Sequence, residues 1–342
     1  MKVHSKKLVL ASILLLVLTF FIVSCGLTGK KSSSLDEDEE QDLIVVGFSQ
    51  PGAESSWRVA LTDSVMESFT EERGYKLIYK DGKSKQDNQI KDIRTFIQQD
   101  VDYIVLSPIV ETGWDTVLSE AKAAGIPVII CDRNVVVENE SLYTAFVGSD
   151  FKAEGDAAIA ELESMLSLEE DASKELNIVH IQGTIGSSAQ LGRSGALERA
   201  LEKHPDWKVT YEACGEFTKA KGREIMTTAL EEVGPENIDV IYCENDEEAY
   251  GAIAAMNEAG VSYGSDSGIK VISFDAMNTA LVMCMEGQIS VEVECNPLQG
   301  PYIYKLISRL EKGEAVPKIT YVKEQHFTKD NLTAQFIEKR KF

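Results

Sequence analysis

Residues 43–58 read Leu43-Ile44-Val45-Val46-Gly47-Phe48-Ser49-Gln50-Pro51-Gly52-Ala53-Glu54-Ser55-Ser56-Trp57-Arg58. The run Leu43–Phe48 is apolar without alternation, the pattern of a strand covered on both faces. It does not end in a simple turn. It ends in a carboxylate, a large aromatic and a guanidinium, and leads into a longer amphipathic segment, Trp57–Arg73. The alternation continues with strand-like runs at Lys76–Tyr79, Tyr103–Leu106 and Val128–Cys131, separated by helix-like segments at Gln86–Gln99 and Thr116–Ala124. Gly74 and Gly125 stand where helix C-caps belong.

The pattern restarts near Asp150. Strands are expected at Ile178–Ile181, Val209–Ala213, Val240–Cys243, Val271–Phe274 and Ser290–Val293, and helices at Glu154–Leu166, Ala189–Lys203, Lys221–Val233 and Glu247–Ala259. Strand–helix–strand units of this kind wind right-handed into parallel sheets with helices on both faces. Two such series in 342 residues make an α/β protein of two doubly wound parallel-sheet lobes. Ligands of such sheets bind beyond the C-terminal strand ends. Each strand end here is followed by a polar cluster, so the expected site is a cleft between the lobes.

The strand ends supply the candidate ligand groups. After the first strand, Trp57 offers a flat apolar face, and Glu54 and Arg58 offer directional hydrogen bonds, with Ser55 and Ser56 beside them. An equally good reading makes Ser55 or Ser56 a helix cap and Trp57 interlobe core. After the fourth strand, Asp132 accepts and Arg133 donates, a pairing suited to hydroxyl groups. In the second half, Phe217 is a candidate aromatic wall, Asn245 both accepts and donates, and Asp275 is a further acceptor. The Gly183-Thr184-Ile185-Gly186 stretch lacks the Gly-Lys-Ser/Thr ending of a phosphate-binding loop.

Bulk composition removes other classes. A formal net charge of −22 argues against nucleic acid, whose phosphates need clustered Lys and Arg. The four histidines include no close pair, so no metal site is expected, and no cofactor motif is found. Six cysteines without CxxC spacing point to buried free thiols. Residues 1–24 combine Lys2, Lys6 and Lys7 with an apolar run from Leu8 to Val23, the layout of a secretory signal. It ends at Ile22-Val23-Ser24-Cys25, and residues 25–42 are polar enough to be a flexible tether.

The ending before Cys25 resembles a bacterial lipobox, which implies lipid attachment at Cys25 and a protein anchored to a membrane in the cell envelope, outside the cytoplasm. From residue 43 to about 327 the order of clusters resembles pentose- and hexose-binding proteins of the ribose-binding type, and among them the galactofuranose-binding branch. The resemblance rests on Phe48-Ser49-Gln50 through Trp57-Arg58, Asp81-Gly82 with Lys85–Lys91, Ser107-Pro108, Thr112-Gly113-Trp114, Asp132-Arg133, Gln182-Gly183-Thr184, Phe217-Thr218-Lys219, Asn245-Asp246 and Val293-Glu294 through Pro297. It implies the type I periplasmic-binding fold, with a three-crossing hinge near Ser149-Asp150, Glu294 and Tyr321. The N-terminal lobe would then be 43–149 with 295–321, and the C-terminal lobe 150–294 with 322–342. It also implies ligand contacts from Glu54, Ser55, Ser56, Trp57, Arg58, Asp132, Arg133, Arg193, Asn245, Asp275 and Glu294.

On this reading the chain is a monomer and not an enzyme. It captures a monosaccharide, a galactofuranose-like hexose being favoured, and delivers it to the permease subunits of an ABC importer. A sensor of the same fold that presents a sugar or autoinducer to a signalling receptor remains the alternative. A glycosidase is disfavoured because Asp132 stands beside an arginine, which suits binding rather than acid catalysis. A repressor would need an N-terminal helix-turn-helix where the signal stands.

Replacing Cys25 with Ala is expected to release the protein from membranes or block its processing. Detergent partitioning and the intact mass of the mature chain check this; an unmodified Cys25 still joined to residues 1–24 would contradict it.

Overall fold

The computed structural model describes residues 43–167, 175–266 and 268–342. The signal, the tether and the Cys25 attachment point lie outside the described residues. Among the described residues, no helix is long and apolar enough to cross a membrane.

The first lobe opens with β1 (Ile44–Gln50), α1 (Ser56–Ser68), β2 (Tyr75–Asp81), α2 (Gln86–Gln98), β3 (Tyr103–Leu106), α3 (Asp115–Ala123), β4 (Val128–Asp132) and β5 (Ala145–Gly148). The second follows with α4 (Phe151–Ser167), β6 (Leu176–Gln182), α5 (Ser188–Lys203), β7 (Trp207–Cys214), α6 (Lys219–Glu232), β8 (Val240–Cys243), α7 (Asp246–Ala259), β9 (Lys270–Asp275), α8 (Asn278–Met285) and β10 (Val291–Glu294). The chain then returns to the first lobe for α9 (Gly300–Leu310) and β11 (Ile319–Tyr321), and ends in the second with β12 (His326–Phe327) and α10 (Ala334–Lys339).

Each lobe holds a six-stranded sheet, in the orders β2-β1-β3-β4-β5-β11 and β7-β6-β8-β9-β10-β12. All pairings are parallel except β10 with β12. This is the expected doubly wound architecture, and strand order reverses between β1 and β3 and between β6 and β8. Those reversals open the crevices in which such sheets bind ligands. The chain passes between the sheets three times, at residues 149–150, 295–299 and 322–325.

Apolar residues cover both faces of each sheet. One cluster, built on Val46, Phe48, Leu61, Ile303 and Ile307 of the first lobe, extends across the cleft through Phe151, Ala189 and Phe217 of the second. The five described cysteines are all free, and only Cys214 is not fully buried.

Helix α1 is shorter than the Trp57–Arg73 expected from periodicity. It stops at Ser68, and a separate turn of 3-10 helix spans Glu71–Arg73 and closes on Gly74 at φ 85°. The break lets Phe69 pack edge-on against Tyr75 and Tyr304, with ring centroids 5.2 and 6.0 Å away. Helix α9 docks on α1 through a residue without a side chain: a Cβ on Gly300 would lie 1.9 Å from the Ser64 carbonyl oxygen.

Candidate functional site

The cleft is built where the topology puts it. Strand β1 runs into a turn that Ser55 converts into a helix start, its Oγ accepting from the Arg58 N–H at 3.1 Å. Gln50, fully buried at the end of β1, donates to the Arg58 carbonyl at 3.1 Å and anchors the first helical turn. Asp132 closes β4 with φ 62°, and its backbone N–H donates to Gln299 Oε1 at 2.9 Å. In the second lobe Phe217 follows β7 with φ 60°, Asn245 caps α7, and Asp275 ends β9 with φ 108°. The left-handed region costs a non-glycine residue energy, and it recurs here at strand ends that face the cleft.

The slot is lined by Glu54, Ser55, Trp57, Arg58, Asp132, Arg133, Phe151, Ala189, Arg193, Phe217, Asn245, Asp275 and Cys295. The cavity between these walls is only about 20 Å³. The two lobes are closed tightly on one another along this slot. Three carboxylates face three guanidinium groups, so the lining is polar yet balanced in charge.

Arg58 is the hub of the first lobe. Its Nε donates to Glu54 Oε1 at 3.1 Å, and its Nη1 donates to Asp132 Oδ2 and, at 3.2 Å, to Ser107 Oγ. Ser107 in turn donates to Asp132 Oδ2 at 2.9 Å. Burial alone would lower the Arg58 pKa, but Asp132 and Glu54 outweigh it and raise it. The Glu54 carboxyl, pushed up by burial, is drawn below its ordinary value by Arg58 and Arg133.

The sequence pairs Asp132 with its neighbour Arg133; the folded protein pairs it with Arg58. Arg133 stands 4.0 Å from Asp132 and 3.6 Å from Glu54, and burial, with Arg58 adding to it, lowers its pKa to about 10. Its guanidinium lies 5.1 Å from the Phe217 ring centre across the cleft, and its buried Nε has no hydrogen-bond partner in the protein. An unsatisfied buried donor in a polar slot is a group that a ligand oxygen would satisfy.

The second lobe mirrors this arrangement with Arg193. Its Nε and Nη2 donate to Glu154 Oε2 at 2.9 and 2.7 Å, and its Nη1 donates to the Glu244 carbonyl. Asp275 Oδ1 stands 3.7 Å from Nη2. Burial drives the Asp275 carboxyl well above the ordinary range, with Arg193 pulling the other way. Asn245 has less to offer than its type suggests. Its Oδ1 accepts from the Glu248 N–H at 2.9 Å and its Nδ2 donates to the Phe217 carbonyl at 3.3 Å, which leaves one N–H.

Trp57 stands in the slot wall and in the core at once. It lines the slot, yet it is only 4% exposed, belongs to the core cluster and donates from Nε1 to the Cys295 carbonyl at 2.6 Å. Two expected contacts lie elsewhere. Ser56 is exposed at the rim, where its Oγ donates to Glu247 Oε1 at 3.0 Å across the cleft. Glu294 does not line the slot; it pairs with Arg340 at 3.1 Å and accepts from the Gln325 N–H at 3.1 Å. Further cross-cleft bonds run from Glu111 N–H to the Gly186 carbonyl and from Asn134 N–H to Ser188 Oγ, each 2.9 Å.

Phe151, Ala189 and Cys295 line the slot without having been singled out in the sequence. Phe151 directly follows the first crossing and Cys295 opens the second, and that position was the available signal; Ala189 carried none. Gly183 makes room for the Phe217 wall, since a Cβ there would fall 2.0 Å from the ring.

Two α/β lobes on a three-stranded hinge, closed around a charge-balanced slot, are the build of an extracytoplasmic solute-binding protein. The chain belongs to the periplasmic binding protein family, whose periplasmic binding protein domain matches residues 46–315, and it is accordingly a binding protein and not an enzyme. It is 36% identical over 300 residues to the galactofuranose-binding protein of Escherichia coli (strain K12), covering 87% of this chain and 92% of that one. A Mycobacterium smegmatis protein solved with β-D-fucofuranose superposes with a TM-score of 0.79 at 36% identity, over 84% of this chain and 92% of its own. The binding component of a Shewanella sp. ANA-3 arabinose ABC transporter, solved with α- and β-L-arabinofuranose, gives 0.78 at 36% identity over 86% and 95%.

Because Trp57 serves core and slot together, Trp57→Ala is expected to lower stability by about 3–5 kcal/mol and weaken ligand binding by about 1–3 kcal/mol. Trp57→Phe keeps the ring and loses the Cys295 bond, costing about 1 kcal/mol of stability. Denaturant unfolding and titration calorimetry check both; full stability with lost binding in Trp57→Ala would contradict the double role.

Proposed function

We propose that the chain captures a monosaccharide in its five-membered-ring form, a galactofuranose-like hexose above all, and delivers it to the permease of an ABC importer. The observation that carries this reading is the narrow slot itself, in which three carboxylates and three arginines from both lobes are bounded by Trp57, Phe151 and Phe217. Hydroxyl groups each donate and accept, so a balanced set of fixed acceptors and donors suits a neutral polyhydroxylated ring. Aromatic walls suit its C–H faces. A phosphate or carboxylate ligand would leave the acids of the slot opposed to it.

The named ligands of the three proteins compared above, each 36% identical, are furanoses or their parent sugar, which supports the five-membered ring. Glu54, Ser55, Trp57, Arg58, Asp132 and Arg133 act from the first lobe, and Arg193, Phe217, Asn245 and Asp275 from the second. The moving units are 43–149 with 295–321, and 150–294 with 322–342. Ligand contacts with both shift the population toward the closed state, because only a ligand that favours that state can shift it. Lipid on Cys25 and the tether 25–42 keep the lobes within reach of the permease.

Titration calorimetry with D-galactose and L-arabinose, followed by 13C NMR of the bound sugar labelled at the anomeric carbon, tests the reading. The expected result is saturable binding with a furanose anomeric signal. A bound pyranose, or no monosaccharide binding, would overturn it.

A further inference from the structure

Asp275 and Ala276 hold φ of 108° and 57°, a backbone conformation that persists only where the surroundings impose it. Buried side chains outside the slot grip this turn at each step. Glu292 Oε1 accepts from the Ala276 N–H at 2.9 Å, Asp246 Oδ2 from the Met277 N–H at 2.9 Å, and Arg340 Nε donates to the Ala276 carbonyl at 3.1 Å. Asp246 Oδ1 accepts from Ser273 Oγ at 2.7 Å, which ties the clamp to β9 itself. Asp246 and Glu292 are both fully buried.

We propose that Asp246, Glu292 and Arg340 are positioning residues that clamp the Asp275–Met277 turn and so aim the Asp275 carboxylate into the sugar slot. This rests on the reading that Asp275 contacts the sugar. The arrangement has a chemical requirement. Glu292 Oε2 is buried with no partner as a bare acceptor, and the neighbouring carboxyl of Asp246 can satisfy it only if a proton lies between them. The surroundings support that proton. Burial, and then the charge of Asp246, push Glu292 well above its ordinary value, while burial brings Asp246 to about 7. The other groups acting on the pair are Glu247 and Tyr250 on α7, Asp275 at the end of β9, Cys243 on β8, Cys284 on α8 and Arg340 after α10. Arg340 is the only cation among these. Because the folded pKa of Glu292 is raised, its favourable neutral form is complete at acid pH and is lost as pH rises through the folded value.

Titration calorimetry with L-arabinose on the mature chain, from pH 6 to pH 10, tests the clamp with Glu292→Leu, Glu292→Gln, Arg340→Met and Asp275→Ala. A glutamine reproduces protonated glutamate, since its oxygen accepts from Ala276 and its amide donates to Asp246. Glu292→Leu and Asp275→Ala are expected to lose about tenfold or more in affinity at pH 7, while Glu292→Gln stays within about twofold. The parent's affinity should fall on the alkaline side, and that of Glu292→Gln should fall less, keeping only the part that Arg133 and Asp275 impose on both. If Glu292→Leu does not fold, Arg340→Met and the Glu292→Gln profile carry the test. An Asp275→Ala loss without a loss in Glu292→Leu or Arg340→Met, or an alkaline fall in Glu292→Gln equal to the parent's, would overturn the clamp alone. Parental affinity in Asp275→Ala would overturn the site reading beneath it.

Discussion

A guanidinium walled off from water must find its counter-charges inside the protein, and Arg58 finds two. It is 3% exposed and lies between Glu54 and Asp132. Removing a charge from water without such partners costs several kcal/mol, so each member of the set depends on the others. The dependence reaches outward. Asp132 is aimed by its left-handed backbone and by Gln299 from the second crossing, and Ser107 braces it from the end of β3. The ends of β1, β3 and β4 are thereby fixed to one another at the mouth of the cleft. Arg193 imposes the same constraint on the second lobe through Glu154, the Glu244 carbonyl and Asp275.

The hinge carries a related chemistry. Ser149 from the first crossing donates to Glu324 of the third and stands 3.3 Å from the Cys295 sulfur of the second. Burial and the nearby Glu154 raise the Glu324 carboxyl to about 9. Short polar contacts tie the three connecting strands to one another, while Cys295 and Val322 join the apolar cluster beside them. Glu294, at the end of β10 beside the second crossing, pairs with Arg340 and accepts from the Gln325 N–H of the third.

The strands of the parallel sheets were legible because full burial makes them uninterrupted apolar runs. β5, the short Ala145–Gly148, lacked such contrast and was not read. α9 was legible in principle, since Pro301 opens it and Ile303, Leu306 and Ile307 repeat at helical spacing on its buried face. The site was legible as a set of strand-end clusters, and most of its members do converge. What the sequence could not convey was partnership. Asp132 stands next to Arg133 in the chain, yet its closest cation is Arg58, because the end of β1 meets the end of β4 only in the folded sheet. Asn245 likewise looked free to bind until α7 required its oxygen as a cap. The turn at Asp275 is gripped by residues that carry no motif, and only the fold brings them together.

One small ligand held by both lobes at once drives their closure. Small-angle X-ray scattering during a titration with the bound sugar tests it most directly. The radius of gyration is expected to fall as ligand is added and to level off at the same occupancy that calorimetry reports. A radius that stays constant while the site saturates would contradict it.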